Sequence, residues 1–202
     1  RASMFDAFSA TLDYLEERGM FERLPQAWTE LFLTVVLPLR HFESAAQMVS
    51  CDTARFGFGT TITQCAAYAA FDRVGNAQLI SRVGISLGGG SADLLDAAKT
   101  SWLDDDALQP LRKLAEELLV ERDWGKSLVA LDVADQLIYP LLYGHLDEAA
   151  LGSGAASYSL IAQHPAQWLP DQRTGLDAPS RAWPHNPERG AAHQVLLARP
   201  AA

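Results

Sequence analysis

The stretch LPQAWTELFLTVVLPLRHFESAAQMVSCD, residues 24–52, decides how the rest of the chain is read. Its apolar side chains fall at Trp28, Phe32, Val35, Leu39, Phe42, Ala46 and Val49, in unbroken steps of four and three. That spacing lines one face of an α-helix and is the seam of a helical bundle. Pro25 stands in the first turn, where its missing N–H costs nothing. Pro38 stands in the interior, removes one backbone hydrogen bond and predicts a kink near Thr34. At ~1.5 Å per residue this helix would extend roughly 44 Å.

Outward from this helix the pattern stays helical. A first helix, about Met4 to Arg18, stops at Gly19, where a C-terminal glycine is expected. Gly57 and Gly59 lead into a third helix, about Thr60 to Ser86, with Ile62, Cys65, Ala69, Ile80 and Val83 as its inner stripe. Gly88-Gly89-Gly90 ends it, and a short segment from Ala92 to Trp102 follows. Asp104, Asp105 and Asp106 then set negative charge ahead of a helix over Ala107 to Val120. The last long helix, about Trp124 to Leu151, carries Leu128, Val129, Leu131, Val133, Leu137, Ile138, Leu141 and Leu142. It is apolar nearly all the way round, which predicts the buried centre, bent at Pro140. Alternating strand patterns are missing, so the fold class is all-α.

After His164 the character changes. Six of the ten prolines lie in residues 164–202, with Trp168 and Trp183 and no helical period. This tail carries a charge of +1 and the body −10. The division expected is a helical domain over residues 1–163 and an irregular, extended or disordered C-terminal arm over 164–202.

Composition bounds the function. The chain has 202 residues, 49% hydrophobic and 20% charged, which fits one domain burying roughly 70% of its unfolded surface. A net charge of −9 argues against a sequence-independent grip on nucleic acid. No apolar run approaches the ~18 residues of a membrane span. Residues Arg1 to Asp13 show no apolar run after a basic start, so no signal peptide is read there and the cytoplasm is the expected compartment. Cys51 and Cys65 are too few for a disulfide framework, and they are expected to be buried, inert thiols.

Long kinked helices raise the question of a di-iron carboxylate centre. That chemistry needs a Glu from each of two helices and Glu-x-x-His from each of two others, so that carboxylate and imidazole share one helical face. The chain contains no Glu-x-x-His and no Asp-x-x-His. His41-Phe42-Glu43 has the wrong spacing, and His145-Leu146-Asp147-Glu148 has the reverse order at a helix end. Neither pair completes a site, and no metal ligands are assigned. The glycines from Gly84 to Gly90 lack a preceding strand and a following Lys-Ser/Thr, which argues against a phosphate loop. Polar residues that interrupt packable surfaces are more informative: Arg40, His41, Glu43, Asp72, Arg73, Gln78 and Arg82. They are solvated faces, or buried ion pairs and contacts to another subunit.

Several ordered motifs resemble one family. Pro38-Leu39-Arg40-His41-Phe42-Glu43, followed by Ala45-Ala46-Gln47-Met48, is similar to the small (beta) hydroxylase subunit of bacterial multicomponent toluene, phenol and alkene monooxygenases. Asp72, Arg73, Gln78 and Arg82 resemble that family's next helix. Gln109-Pro110-Leu111-Arg112, Leu118-Leu119-Val120, the run Asp123-Trp124-Gly125-Lys126-Ser127-Leu128-Val129-Ala130-Leu131 and Pro140-Leu141-Leu142 continue the likeness. It spans roughly Asp13 to Gln163 and departs at Gly75-Asn76, where the family is more basic, and after His164.

The resemblance implies a ferritin-like helical bundle that lacks di-iron ligands. It implies a non-catalytic subunit that packs against an iron-bearing alpha subunit, with alpha, beta and gamma chains forming a dimer of trimers. A reductase supplying NADH-derived electrons, a small regulatory protein and, in some members, a Rieske-type ferredoxin complete such systems. The assembled enzymes hydroxylate or epoxidise aromatic or alkene hydrocarbons with O₂. No catalytic, metal or cofactor residue carries over to this chain; the di-iron centre is expected in the alpha subunit. Candidate subunit-interface or buried polar positions are Arg40, His41, Glu43, Asp72, Arg73, Gln78, Arg82, Asp123 and Trp124. Two competing readings are a degenerate ferritin-like oxidase using Glu43, Asp72, His41 and His145, and a stand-alone helical module that dimerises through apolar faces.

Overall fold

The first helix, α1, runs Ala2–Glu17. Gly19 ends it with φ 58°, while Met20 N–H reaches Leu15 O at 2.9 Å. This is a left-handed glycine stop of the kind the sequence predicts. A computed structural model describes the backbone of residues 2–182 and the side chains of residues 5–174. No β-strand occurs among these residues.

The long second helix forms in three pieces: α2, Gln26–Leu31, a wide π-helical turn over Phe32–Val36, and α3, Leu39–Phe56. Pro38 explains the break. Its ring cannot approach the carbonyl four residues back, at Thr34, so the chain widens and Leu37 N–H bonds Phe32 O at 2.8 Å. The predicted kink is thus a local change of pitch. The same device recurs at Pro140: α7, Trp124–Pro140, passes into a π turn at Leu141–His145 and then α8, Leu146–Gly152.

Helix α4 spans Thr60–Leu87 and packs antiparallel on α3 in the most extensive helix contact of the fold. Ile62, Ala69, Ile80 and Val83 face inward as expected. Close approach needs small residues here: a Cβ on Gly84 would lie 2.4 Å from Leu95 and 3.2 Å from Leu37. Helices α5, Asp93–Asp104, and α6, Gln109–Val120, cross one side of the bundle. Of the three aspartates between them, Asp105 accepts from Ala107 N–H at 2.9 Å, so it shapes the turn and does not cap α6.

Three expectations are corrected. The region from His164 is not an extended arm over its described length: α9 runs Ala156–Ala182 straight through Pro165 and Pro170. Trp168 and Leu169 are buried in the core, and that burial outweighs the helix-breaking cost of the prolines. Residues 183–202, with Trp183, lie outside the described residues. Second, the helix around Leu131 is not buried all round. Leu128 and Leu131 are buried, but Leu137 is 68% and Leu141 56% exposed. Third, the thiols are not buried: Cys51 is exposed and Cys65 half-buried.

The core runs through α1, α3, α4, α7 and α9, from Phe8 and Leu12 through Phe32, Phe42 and Val83 to Leu131, Tyr158 and Trp168. No helix among the described residues is long and apolar enough to cross a membrane.

Candidate functional site

In the middle of this core lies a cluster of charge. Arg73 of α4 is fully buried. Its Nη1 donates to both carboxylate oxygens of Glu43 on α3, at 3.2 and 3.1 Å, and its Nη2 donates to Asp135 Oδ2 on α7. Asn76, one helical turn beyond Arg73, places its side-chain amide 3.5 Å from Glu43 Oε2 and 3.2 Å from the Tyr139 hydroxyl. Tyr139, one turn beyond Asp135, donates to Glu43 Oε1 at 2.5 Å. From α9, the Trp168 ring faces the guanidinium with Cζ 4.7 Å from its centroid; a flat, weakly hydrated cation suits such a contact. Four helices therefore meet at one side chain.

The electrostatics follow from the burial. Burial works against the charge on Arg73, but the Glu43 and Asp135 carboxylates outweigh it and hold the guanidinium pKa above its usual value. Burial is also the largest influence on Asp135; together with Glu43 it pushes that carboxyl up to about 7, against the pull of Arg73. Burial and the nearby carboxylate of Glu43 keep Tyr139 and Tyr143 protonated far above the usual phenol range. One guanidinium balances one of two carboxylates, so the cluster carries an excess of negative charge unless a proton neutralises Asp135.

The sequence-predicted polar positions separate by burial. Glu43, Asp72 and Arg73 are buried. Glu43 and Arg73 are brought together, the buried ion pair that was one of the two readings. Arg40 and His41 are half-buried on α3; the His41 ring stacks on Trp102 of α5 at 6.0 Å, and burial, followed by Arg40 and Lys99, lowers its pKa. Gln78 and Arg82 lie on the exposed outer face of α4, where Arg82 donates to Ser9 Oγ of α1 at 2.6 Å. Asp123 is exposed and is the N-cap of α7, accepting from Gly125 N–H at 3.0 Å and Lys126 N–H at 3.3 Å. Trp124 is half-buried against Phe58.

Asp135, Asn76, Tyr139 and Trp168 escaped the sequence reading. For Asp135 a signal was present: a carboxylate inside the apolar run from Leu128 to Leu142 is either at a surface or paired.

The cluster does not fit a pair of iron ions. Both carboxylates are engaged by Arg73, and among the described residues no three His, Cys, Asp or Glu side chains come together so as to hold a metal ion. His41, Glu43, Asp72 and His145, the set an oxidase reading requires, are not assembled as ligands.

Comparison with known proteins matches residues 1–181 to the family described as methane/phenol/alkene hydroxylase. The chain is 34% identical over 179 residues to DmpL, the oxygenase component of phenol 2-monooxygenase from Pseudomonas sp. strain CF600; the match covers 88% of this chain and 54% of DmpL. It is 33% identical to the corresponding component MhpL of Acinetobacter pittii strain PHEA-2, with the same coverage. The chain thus spans about half the length of these curated relatives. Among solved structures, phenol hydroxylase from Pseudomonas sp. OX1 superposes with a TM-score of 0.89 at 30% identity, over 98% of this chain and 61% of that one. A toluene 4-monooxygenase chain gives 0.82 at 20% identity, over 94% and 64%, a likeness of fold.

Proposed function

Because the chain belongs to the methane/phenol/alkene hydroxylase family, we propose that it is the non-catalytic small (beta) subunit of a multicomponent di-iron monooxygenase hydroxylase. In this reading an iron-bearing alpha subunit performs O₂ activation and hydroxylation of an aromatic or alkene hydrocarbon, and this chain supports its fold. A gamma subunit, a reductase and a small regulatory protein complete the cytoplasmic system.

The observation that carries the reading is the buried cluster. A ferritin-like bundle that handles metals directs free carboxylates and imidazoles into its interior. Here the interior carboxylates are closed on the chain's own Arg73. Exposed apolar ridges add support. Val133, Leu137 and Leu141 recur at intervals of four along α7 and the turn after it, and Phe71 on α4 is 73% exposed. Such ridges suit a large obligate subunit interface better than a solvated surface.

Co-purification with a tagged copy tests the proposal. The expected result is a larger companion polypeptide and iron found in the complex alone. Stoichiometric iron in the isolated chain would overturn it, as would a concentration-independent homodimer that recruits no companion.

A further inference from the structure

We infer that the cleft between the end of α1 and the start of α9 is an oxyanion site that takes a phosphate group. The inference stands apart from both the buried cluster and the subunit reading.

The cleft encloses about 350 Å³, with Tyr14, Arg18 and Arg23 on one wall and Gly154, Ala156 and Ser157 on the other. No carboxylate lines it, although the chain carries a net charge of −9. Arg18 and Arg23 are exposed, and among the described residues neither takes part in an ion pair. The Arg18 guanidinium lies over the Tyr14 ring, with Cζ 5.6 Å from its centroid. Arg18 directly follows α1, where the last helical carbonyls favour a cation in any case. Arg23 has no such account.

Helix α9 supplies donors from the opposite wall. Its first N–H groups, at Ala156 and Ser157, meet no backbone carbonyl among the described residues, as is general for the first turn of a helix. The residue ahead of them is Ala155, whose methyl group cannot cap them. Ser157 is only 2% exposed, yet its hydroxyl makes no hydrogen bond among the described residues. A buried hydroxyl is ordinarily paired, and this one belongs to the cleft wall. At Gly154 φ is 81°, and an added Cβ would meet nothing within 4 Å, so the cleft is open there.

Charge decides the ligand. Two guanidinium groups, with roughly half a positive charge from the helix start, exceed what one carboxylate needs and suit a dianion. Forked guanidinium, N–H and hydroxyl donors also meet a tetrahedral oxyanion from several sides. The ligand is therefore phosphate, either the free ion or the phosphoryl group of a small monoester.

The test uses the full chain with whatever subunits accompany it, at fixed ionic strength. Inorganic phosphate, glycerol phosphate and acetate are titrated by calorimetry into wild type, Arg18→Gln/Arg23→Gln and Ser157→Ala. The arginine double variant is expected to bind phosphate at least about tenfold more weakly, and Ser157→Ala about three- to tenfold more weakly. Acetate, with one charge, is expected to bind wild type at least about tenfold more weakly than phosphate. Binding of inorganic phosphate with glycerol phosphate excluded supports the site and identifies the free ion; glycerol phosphate bound as tightly or more tightly supports it and identifies a monoester. Melting curves without ligand separate lost binding from lost fold, and the exposed arginine pair carries the test alone if Ser157→Ala melts early. Wild type that binds neither phosphate, a folded variant that binds phosphate as wild type does, or acetate bound as tightly as phosphate would overturn the inference.

Discussion

Removing the Arg73 side-chain charge would strand Glu43 and Asp135 in the core. Arg73→Met is expected to lose roughly 3–5 kcal/mol, because breaking a buried pair leaves an uncompensated charge. The triple variant Arg73→Met/Glu43→Gln/Asp135→Asn should recover most of it, since neutral groups carry no such penalty. Urea melting of both checks the pair. The pH dependence has two parts of opposite sign. Asp135 binds its proton more tightly folded, up to about 7, than unfolded, so its contribution is present in acid and lost as pH rises through 7. Asp135→Asn should therefore gain stability relative to wild type between pH 5 and pH 8. His164 packs edge-on against Phe8 at 4.8 Å, and burial lowers its pKa. Its contribution is present above the unfolded value and is lost as pH falls below about 6.5. His164→Phe should lose less stability than wild type on acidification from pH 7 to 5, read from paired melting curves. Glu43 and Arg73 were legible in sequence as charges interrupting packable helix faces. Asp135 was not, because periodicity alone made its helix look apolar on every side and hid which face needed a partner.

At the scale of elements, glycine and proline carried most of the legible information. Gly19 and the Gly88–Gly90 run end helices where expected, with positive φ at Gly19, Gly89 and Gly90. Pro38 and Pro140 mark the interruptions, although a sequence cannot say that the strain is released as a wide turn. The same reading failed for α9. Pro165 and Pro170 counted as breakers, while the contact that offsets them, Trp168 against Arg73 and Tyr139, joins positions far apart in the chain and is invisible to local pattern. Asp123 holds the start of α7, and Asp123→Ala should lose about 1 kcal/mol in a denaturant melt through the two freed N–H groups. Gly84 lets α4 meet Leu37 and Leu95, so Gly84→Leu should lose roughly 1–3 kcal/mol by overpacking and lower the melting temperature.

For the whole molecule, the surface that the bundle leaves apolar separates fold from assembly. Leu137 is 68% exposed, so Leu137→Glu should leave the melting temperature of the isolated chain close to wild type. In a tagged pull-down the same change should reduce the recovered companion subunit, as desolvating a charge at an interface core would. Equal recovery would place the companion on another face.

The buried cluster also has a chronology. Glu43 and Arg73 belong to one antiparallel hairpin and lie 30 residues apart, whereas Asp135 and Tyr139 come from 62 and 96 positions away from their respective partners. A chain emerging from the ribosome can therefore settle a neutral carboxylate–guanidinium couple before α7 is synthesised. The surplus anion arrives afterwards, at a lock already closed.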